Sequence, residues 1–370
     1  MRPIYQSAAE EPRQRQPGGH AGLWFDKFCN QWLVQAGERR SWSLRASSNE
    51  KAGSNPKQDW IATVTDKPVG VREEIREAVL RRLQLVQACG GRVAVLRTQS
   101  RFASGLGRSH PIENGFAWHP TLGTPYLPGS SVKGAVLAWA RETGVDPELH
   151  EHVFGAAERV GSLCFLGAIP LAPVSLEADV MTPHYAGWSE SDPPGDWRSP
   201  TPIPFLTTAV DTRFLFSFVP RARVPAAELD RVMQLLVDAL ETVGAGAKTA
   251  VGYGRMVRDD ACLDELRSEF KKEESRRRDQ QRRAAMDPLD RELEDLAAAN
   301  TSQARFITWL QAAKDGQWSG EALRSVLERI RREMEREGCW LPLPQENKTK
   351  RKHHERTLLV LRLMQEGSST

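Results

Sequence analysis

The chain has 370 residues, 40% hydrophobic and 27% charged, with 51 Lys and Arg against 48 Asp and Glu, a net charge of +3. That length exceeds one ordinary core, so two or more units are expected, and the near balance of charge excludes a whole-chain field that captures polyanions, leaving any basic surface local. Five scattered cysteines (Cys29, Cys89, Cys164, Cys262, Cys339) without a CxxC pair argue against a zinc ribbon or disulfide framework, and no apolar run is long enough for a bilayer, so a cytoplasmic chain with no membrane partner is expected.

In chain order, residues 1–20 are polar and read as an arm. Residues 23–34 are apolar and aromatic enough for a short helix, and 37–59 are loop-like. Ile75, Ala78, Val79, Leu83 and Val86 recur at helical spacing, so 71–88 is a helix stopped by Gly90 and Gly91. Residues 92–101 read as a strand around Val93 to Leu96, and 102–124 as a long loop holding His110 and His119. Pro128 and Gly129 signal a turn, Ser130 or Ser131 offers an N-cap, and Val132, Ala135, Val136 and Trp139 mark the helix that follows. A strand at 162–169 leads into a long irregular insertion, 170–204. Phe214, Phe216 and Phe218 alternate on a strand at 213–219. Leu229, Val232, Met233, Leu236, Leu240 and Val243 line a helix ended by Gly244, and the strand-like run 251–257 closes the series.

The order β-α-β-β-α-β makes the expected class α+β, a ferredoxin-like (RRM-like) core with long insertions and an α-helical C-terminal extension. The expected divisions are an N-terminal arm and helical segment packing on the core (1–90), the core (91–258), a charged helical linker (259–287) and an α-helical domain (288–370). Within the linker, 271–283 has no apolar residue, so it is a solvated helix or link. The basic run 348–356 reads as a solvated loop, and 358–364 as a final apolar helix.

Two stretches carry binding chemistry. In Thr124 to Gly134, a lysine in the first helical turn opposes the helix dipole, a conflict that a bound anion removes; an ordinary capped helix with a solvated lysine is the alternative. In Gly244 to Arg255, a glycine-rich loop carries Lys248 and Thr249. It is not a P-loop, because Ala247 stands where that pattern needs glycine and the order is helix, loop, strand. It is suited to touching a polymer backbone, with glycines that admit close approach. His150 and His152 flank Glu151 at a spacing that does not converge, and His184 near Asp179 has no nucleophile beside it, so no metal, cofactor or catalytic residue is expected.

Together, Pro125 to Gly134, Val153 to Gly155 and Gly246 to Arg255 resemble the RAMP superfamily of CRISPR proteins. Ala21 to Phe28, Asp179 to Tyr185 and Pro202 to Leu206 resemble, within it, the sixth-subunit family of type III-B (Cmr) RNA-guided effector complexes. The resemblance spans roughly residues 21–257. It implies a non-catalytic, RNA-binding structural subunit near the 3′ side of the guide, capping the backbone filament in antiviral defence. It implies guide RNA, target RNA and other Cmr-type subunits as partners, and a thumb-like protrusion in the 170–204 insertion. The RNA-binding candidates are then Ser130, Ser131, Lys133, Gly246, Lys248, Thr249, Tyr253 and Arg255. The alternatives are a metal-dependent RAMP endoribonuclease, for which Glu113 is the nearest acidic candidate, and a protein–protein scaffold without RNA contact.

Overall fold

In a computed structural model, residues 15, 18–29, 32–35, 41–44, 55–182, 202–299, 303–344 and 347–366 are described. The chain divides into two compact units, Met1–Phe270 and Lys271–Thr370. No described helix is long and apolar enough to cross a membrane.

The first unit is built on a four-stranded sheet. Its strands are Arg92–Thr98, Leu163–Pro170, Arg213–Pro220 and Met256–Arg258. Every neighbouring pair is antiparallel, and the spatial order is fourth, first, third, second. Helix Gly129–Glu142 joins the first strand to the second, and helix Ala226–Thr242 the third to the fourth. The alternation read from the sequence is realised. Phe214, Phe216 and Phe218 turn with Ala94 and Leu96 to one face, against Val132 and Val136 of one helix and Leu229, Val232 and Leu236 of the other.

The opposite face is also covered. Val95, Ile169 and Leu215 pack on Ile75, Val79 and Leu83 of helix Arg72–Cys89, and on Leu263 and Phe270 of helix Asp260–Ala285. Gly90, at φ 67°, ends Arg72–Cys89, and the Gly91 N–H returns to Val86 O at 2.8 Å. Arg82 on this face donates to Leu166 O and Ser217 Oγ, at 2.9 and 3.0 Å.

A second core gathers the N-terminal segment and both long insertions. Phe25 and Trp60 pack with Ile112, Phe116, Trp118, Val174 and Leu206. Several expectations change here. The helix expected at 23–34 is Ala21–Lys27, started by the His20 ring, which accepts from Leu23 N at 2.9 Å; Trp32–Gln35 is instead a strand paired with Ser41–Leu44. The loop expected at 37–59 therefore holds a strand, and its end begins helix Pro56–Thr65, with Asn55 as cap and Pro56 in the first turn. The 102–124 loop contains the small hairpin Ser109–His110 with Glu113–Asn114. The 170–204 insertion is regular where described: Leu176–Met181 pairs antiparallel with Ile203–Thr208, while residues 183–201, including His184 and Tyr185, lie outside the described residues. The last strand, expected at 251–257, is only Met256–Arg258, because Thr249–Val251 is a 3₁₀ turn and residues 252–254 continue as a turn.

The second unit is helical. Pro288–Ala299, Arg305–Lys314, Gly320–Arg336 and Lys348–Glu366 enclose Phe306, Trp309, Leu310, Val326, Leu327, Ile330, Met334 and Val360. Residues 271–283 are helical and continuous with Asp260–Ala285. The basic run 348–356 is not a loop: it forms the first turns of Lys348–Glu366, whose buried Thr357 and Val360 fix it to the core.

Candidate nucleic-acid interface

Helix Gly129–Glu142 begins two residues earlier than the serines would suggest. Pro128 is the N-cap, and its carbonyl accepts from Ser131 N and Val132 N at 3.0 and 3.1 Å. Ser130 and Ser131 therefore sit exposed in the first turn instead of capping it. The cause is close seating on the neighbouring strand. Leu127 exchanges both backbone hydrogen bonds with Ala168, and a Cβ at Gly129 would lie 2.0 Å from Phe165 O. Lys133, half-buried, has no ion pair among the described residues.

The loop 244–254 is drawn onto the segment that follows the first strand. Ala247 N donates to Ala103 O at 2.7 Å, Gly254 N to Arg101 O at 2.9 Å, and Ala245 N to Gly254 O at 3.0 Å. Gly244, Gly246 and Gly254 have φ of 83°, 97° and 75°. A Cβ on Gly246 would be 2.3 Å from Ala103 O, and on Gly254 2.0 Å from Ala245 O. The loop's own packing requires these glycines. The tip is open: Val251 is 71% exposed, and a Cβ on Gly252 would meet nothing within 4 Å. Among the described residues, the N–H groups of Gly246, Lys248 and Thr249 have no partner within the chain.

Helix start and loop face each other across a groove of about 590 Å³. Ser131, Gly246 and Thr249 line it together, with Arg108 from the 102–124 loop and Trp139 and Glu142 further along the helix. The sequence reading does not single out Arg108, Glu142 or Trp139 as groove residues; for Arg108 no local signal exists, but for Trp139 and Glu142 one does. The signal was available in the spacing, because 131, 135, 139 and 142 fall on one helical stripe.

Ser130, Lys133, Lys248, Tyr253 and Arg255 do not line the groove. Lys248, in the left-handed region at φ 61°, holds its Nζ 5.2 Å from the centroid of the Phe205 ring. Tyr253 donates its hydroxyl to Asp179 Oδ2 at 2.5 Å, and Arg101 bridges Asp179 and Glu177 at 2.8 and 2.7 Å. This network ties the glycine loop to the Leu176–Met181 strand. Burial would raise the Asp179 carboxyl, but the hydrogen bonds from Tyr253, Val180 N–H and Arg101 outweigh it and hold it below the usual range. Burial, then the bond to Asp179, pushes the Tyr253 hydroxyl up to about 12. Arg255 is fixed through its backbone, its N–H donating to Ser100 Oγ at 3.1 Å, and its side chain is exposed.

The other polar candidates have structural partners. Glu113, at φ 78° in the small hairpin, pairs with Lys57. His110 stacks on Phe25 at 4.3 Å with its Nε2 against Phe25 O at 2.9 Å, and burial lowers its pKa to about 4. His152 Nδ1 meets Glu228 Oε1 at 2.8 Å, and His150 Nε2 accepts from Arg141 at 3.2 Å. No group of three or more His, Cys, Asp or Glu that could hold a metal occurs among the described residues.

Residues 89–257 match the family model described as the RAMP superfamily. The chain is 31% identical to the CRISPR system Cmr subunit Cmr6 of Pyrococcus furiosus, with 44% of this chain and 66% of that protein covered. It is 32% identical to the Cmr6 subunit of Saccharolobus solfataricus, with 38% and 48% covered. The chain thus spans just under two thirds of the one relative's length and about half of the other's. A chain in the cryo-EM structure of the type III-B Cmr-beta bound to cognate target RNA is 24% identical, with a TM-score of 0.45 over 55% of this chain and 71% of that one.

Proposed function

We propose, starting from a chain whose residues 89–257 match the RAMP superfamily, that this protein is a non-catalytic, RNA-binding structural subunit of a type III-B CRISPR effector complex. It contacts the guide backbone near its 3′ side, caps the backbone filament beside other Cmr-type subunits, and meets target RNA through the guide. The core is read as ferredoxin-like, supported by the β-α-β-β-α-β order and the fourth-first-third-second arrangement of the sheet. One observation carries the binding reading: the groove that sets Ser131 and the first turn of a helix opposite Gly246 and Thr249, with Arg108 at its edge.

The chemistry follows from those groups. The first-turn N–H groups and hydroxyls receive a phosphate, and the unpartnered N–H groups of Gly246, Lys248 and Thr249 receive another. Lys133 and Lys248, which have no carboxylate partner among the described residues, supply charge at either side. Ser130 and Arg255 extend the same surface, and Trp139 offers a stacking edge to a base. Tyr253, whose hydroxyl is committed to Asp179, acts by holding the loop. Such contacts fix a strand's position without reading its sequence, as a subunit that accepts any guide requires. An RRM-style platform is not used, because helices cover both faces of the sheet.

The test is the binding of single-stranded guide RNA by Lys133→Ala/Lys248→Ala. Affinity should fall, and the slope of log K against log salt should flatten by about 0.7 for each phosphate no longer neutralised. Unchanged affinity and slope would remove both lysines from the site. Incubation of the purified chain with labelled RNA and Mg²⁺ should leave the RNA intact. EDTA-sensitive cleavage abolished by Glu113→Ala would establish the endoribonuclease reading instead, and absence of guide crosslinks in the assembled complex the scaffold reading.

A further inference from the structure

Residues 271–370 lie outside the segment that matches the RAMP superfamily. They carry 21 Lys and Arg against 17 Asp and Glu, whereas residues 1–270 carry 30 against 31. The basic excess of the whole protein therefore resides in the second unit. Within that unit it is concentrated in 348–356, where Lys348, Lys350, Arg351, Lys352 and Arg356 stand against Glu355 alone.

Elsewhere in the unit many of the arginines are answered. Glu273 pairs with Arg276 and Arg277, Glu274 with Arg278, Glu335 with Arg331, and Glu294 with Arg282. Lys348, Lys350 and Lys352 are exposed and have no carboxylate partner among the described residues. The first turn of Lys348–Glu366 contains no acidic residue, so its cations work against the helix dipole as well as against one another. The helix persists because its later turns are anchored by Thr357 and Val360. An exposed set of charges held in mutual repulsion is relieved by a polyanion.

We infer that the N-terminal half of helix Lys348–Glu366 is a second RNA-backbone contact surface, supplied by the helical unit and separate from the groove. RNA is favoured over an acidic protein because lysine is depleted from protein interfaces, and residues 348–356 offer no exposed apolar side chain to anchor one. Phosphate contact needs only point charges. The choice of RNA as the polyanion rests on the reading above, but the surface does not depend on the groove residues.

The experiment uses the full chain with Lys348→Gln/Lys350→Gln/Lys352→Gln and a fluorescently labelled single-stranded RNA of mixed sequence. Affinity should fall and the salt slope should flatten by about 2, at roughly 0.7 for each of the three charges removed. The same fall should appear in the Lys133→Ala/Lys248→Ala background, which separates this surface from the groove. Replacing the three lysines by arginine should retain affinity and slope. The parent's affinity and slope in the glutamine variant, at unchanged helical circular dichroism, would overturn the inference, whether or not that variant loses affinity for polyglutamate, the probe for an acidic protein partner.

Discussion

At the start of helix Gly129–Glu142, two serines stand exposed on a regular helical turn, and Gly134 faces open space. Across the groove, the loop 244–254 is tied to residues 101–103 by backbone hydrogen bonds, and Gly244, Gly246 and Gly254 each meet backbone atoms within 3 Å of where a Cβ would be. Both stretches read alike in sequence, as glycines beside a lysine and a hydroxyl. In the fold, the helix side presents its groups on a standard scaffold, while the loop side is a constrained turn whose glycines serve the turn. Glycine richness therefore says little about ligand binding until the atoms nearest each glycine are known.

The largest effect that sharpens this contrast is expected from Gly254→Ala. An L residue in the left-handed region costs about 1–2 kcal/mol, and the overlap with Ala245 O adds to it. A loss of at least about 2 kcal/mol, read from urea denaturation, is predicted. A loss within about 0.5 kcal/mol, the usual range of surface substitutions, would mean that the loop is looser than its geometry.

Tyr253→Phe comes next. It removes a hydrogen bond to a partly exposed carboxylate, worth about 1 kcal/mol. Its pH signature is more telling. The folded state binds the Tyr253 proton more tightly than the unfolded chain, because its pKa rises from 10.0 to about 12. That contribution is complete below about pH 10 and lost as pH climbs toward 12. Asp179 has the opposite sign: its carboxyl lies below 3.8 in the folded state, so its contribution is present above about pH 4 and lost as pH falls through the lowered value. Comparing the pH dependence of stability for the parent and the variant should remove the alkaline step and narrow the acid one. Identical profiles would show that the Asp179–Tyr253 bond does not hold the loop.

The smallest effect is expected from Gly134→Ala. With nothing within 4 Å of its Cβ, the gain is the helical preference of alanine, roughly 0.5–1 kcal/mol of added stability. A destabilisation would place an unseen neighbour at the helix start and weaken the distinction between the two sides.

The sheet and its two flanking helices were legible because their burial is periodic: Phe214, Phe216 and Phe218 at a period of two, Leu229 to Leu240 at a helical period. The helix cap was misread because Ser130 and Ser131 fit the local rule, while the seat of Gly129 on Phe165 O is set by a strand more than thirty residues away. The run 348–356 read as a loop because it has no apolar stripe of its own; it is helical through the anchors that follow it. Of the residues that line the groove, Ser131, Gly246 and Thr249 were visible as residue types. Arg108 is brought to the groove by tertiary structure, Glu142 follows from its helical spacing with Ser131 and Trp139, and Tyr253 is committed to Asp179 by a strand pair whose regularity the proline-rich insertion concealed.

The central claim is that RNA lies along the groove between the helix start and the glycine loop. The most direct measurement is ultraviolet crosslinking of the full chain to guide RNA, with the crosslinked residues identified by mass spectrometry. Crosslinks should include residues within 128–142 and 244–255, Trp139 among them, beside those of the 348–356 surface, and those of the first two stretches should diminish in Lys133→Ala/Lys248→Ala. Crosslinks that avoid both stretches while the RNA remains bound would contradict the account.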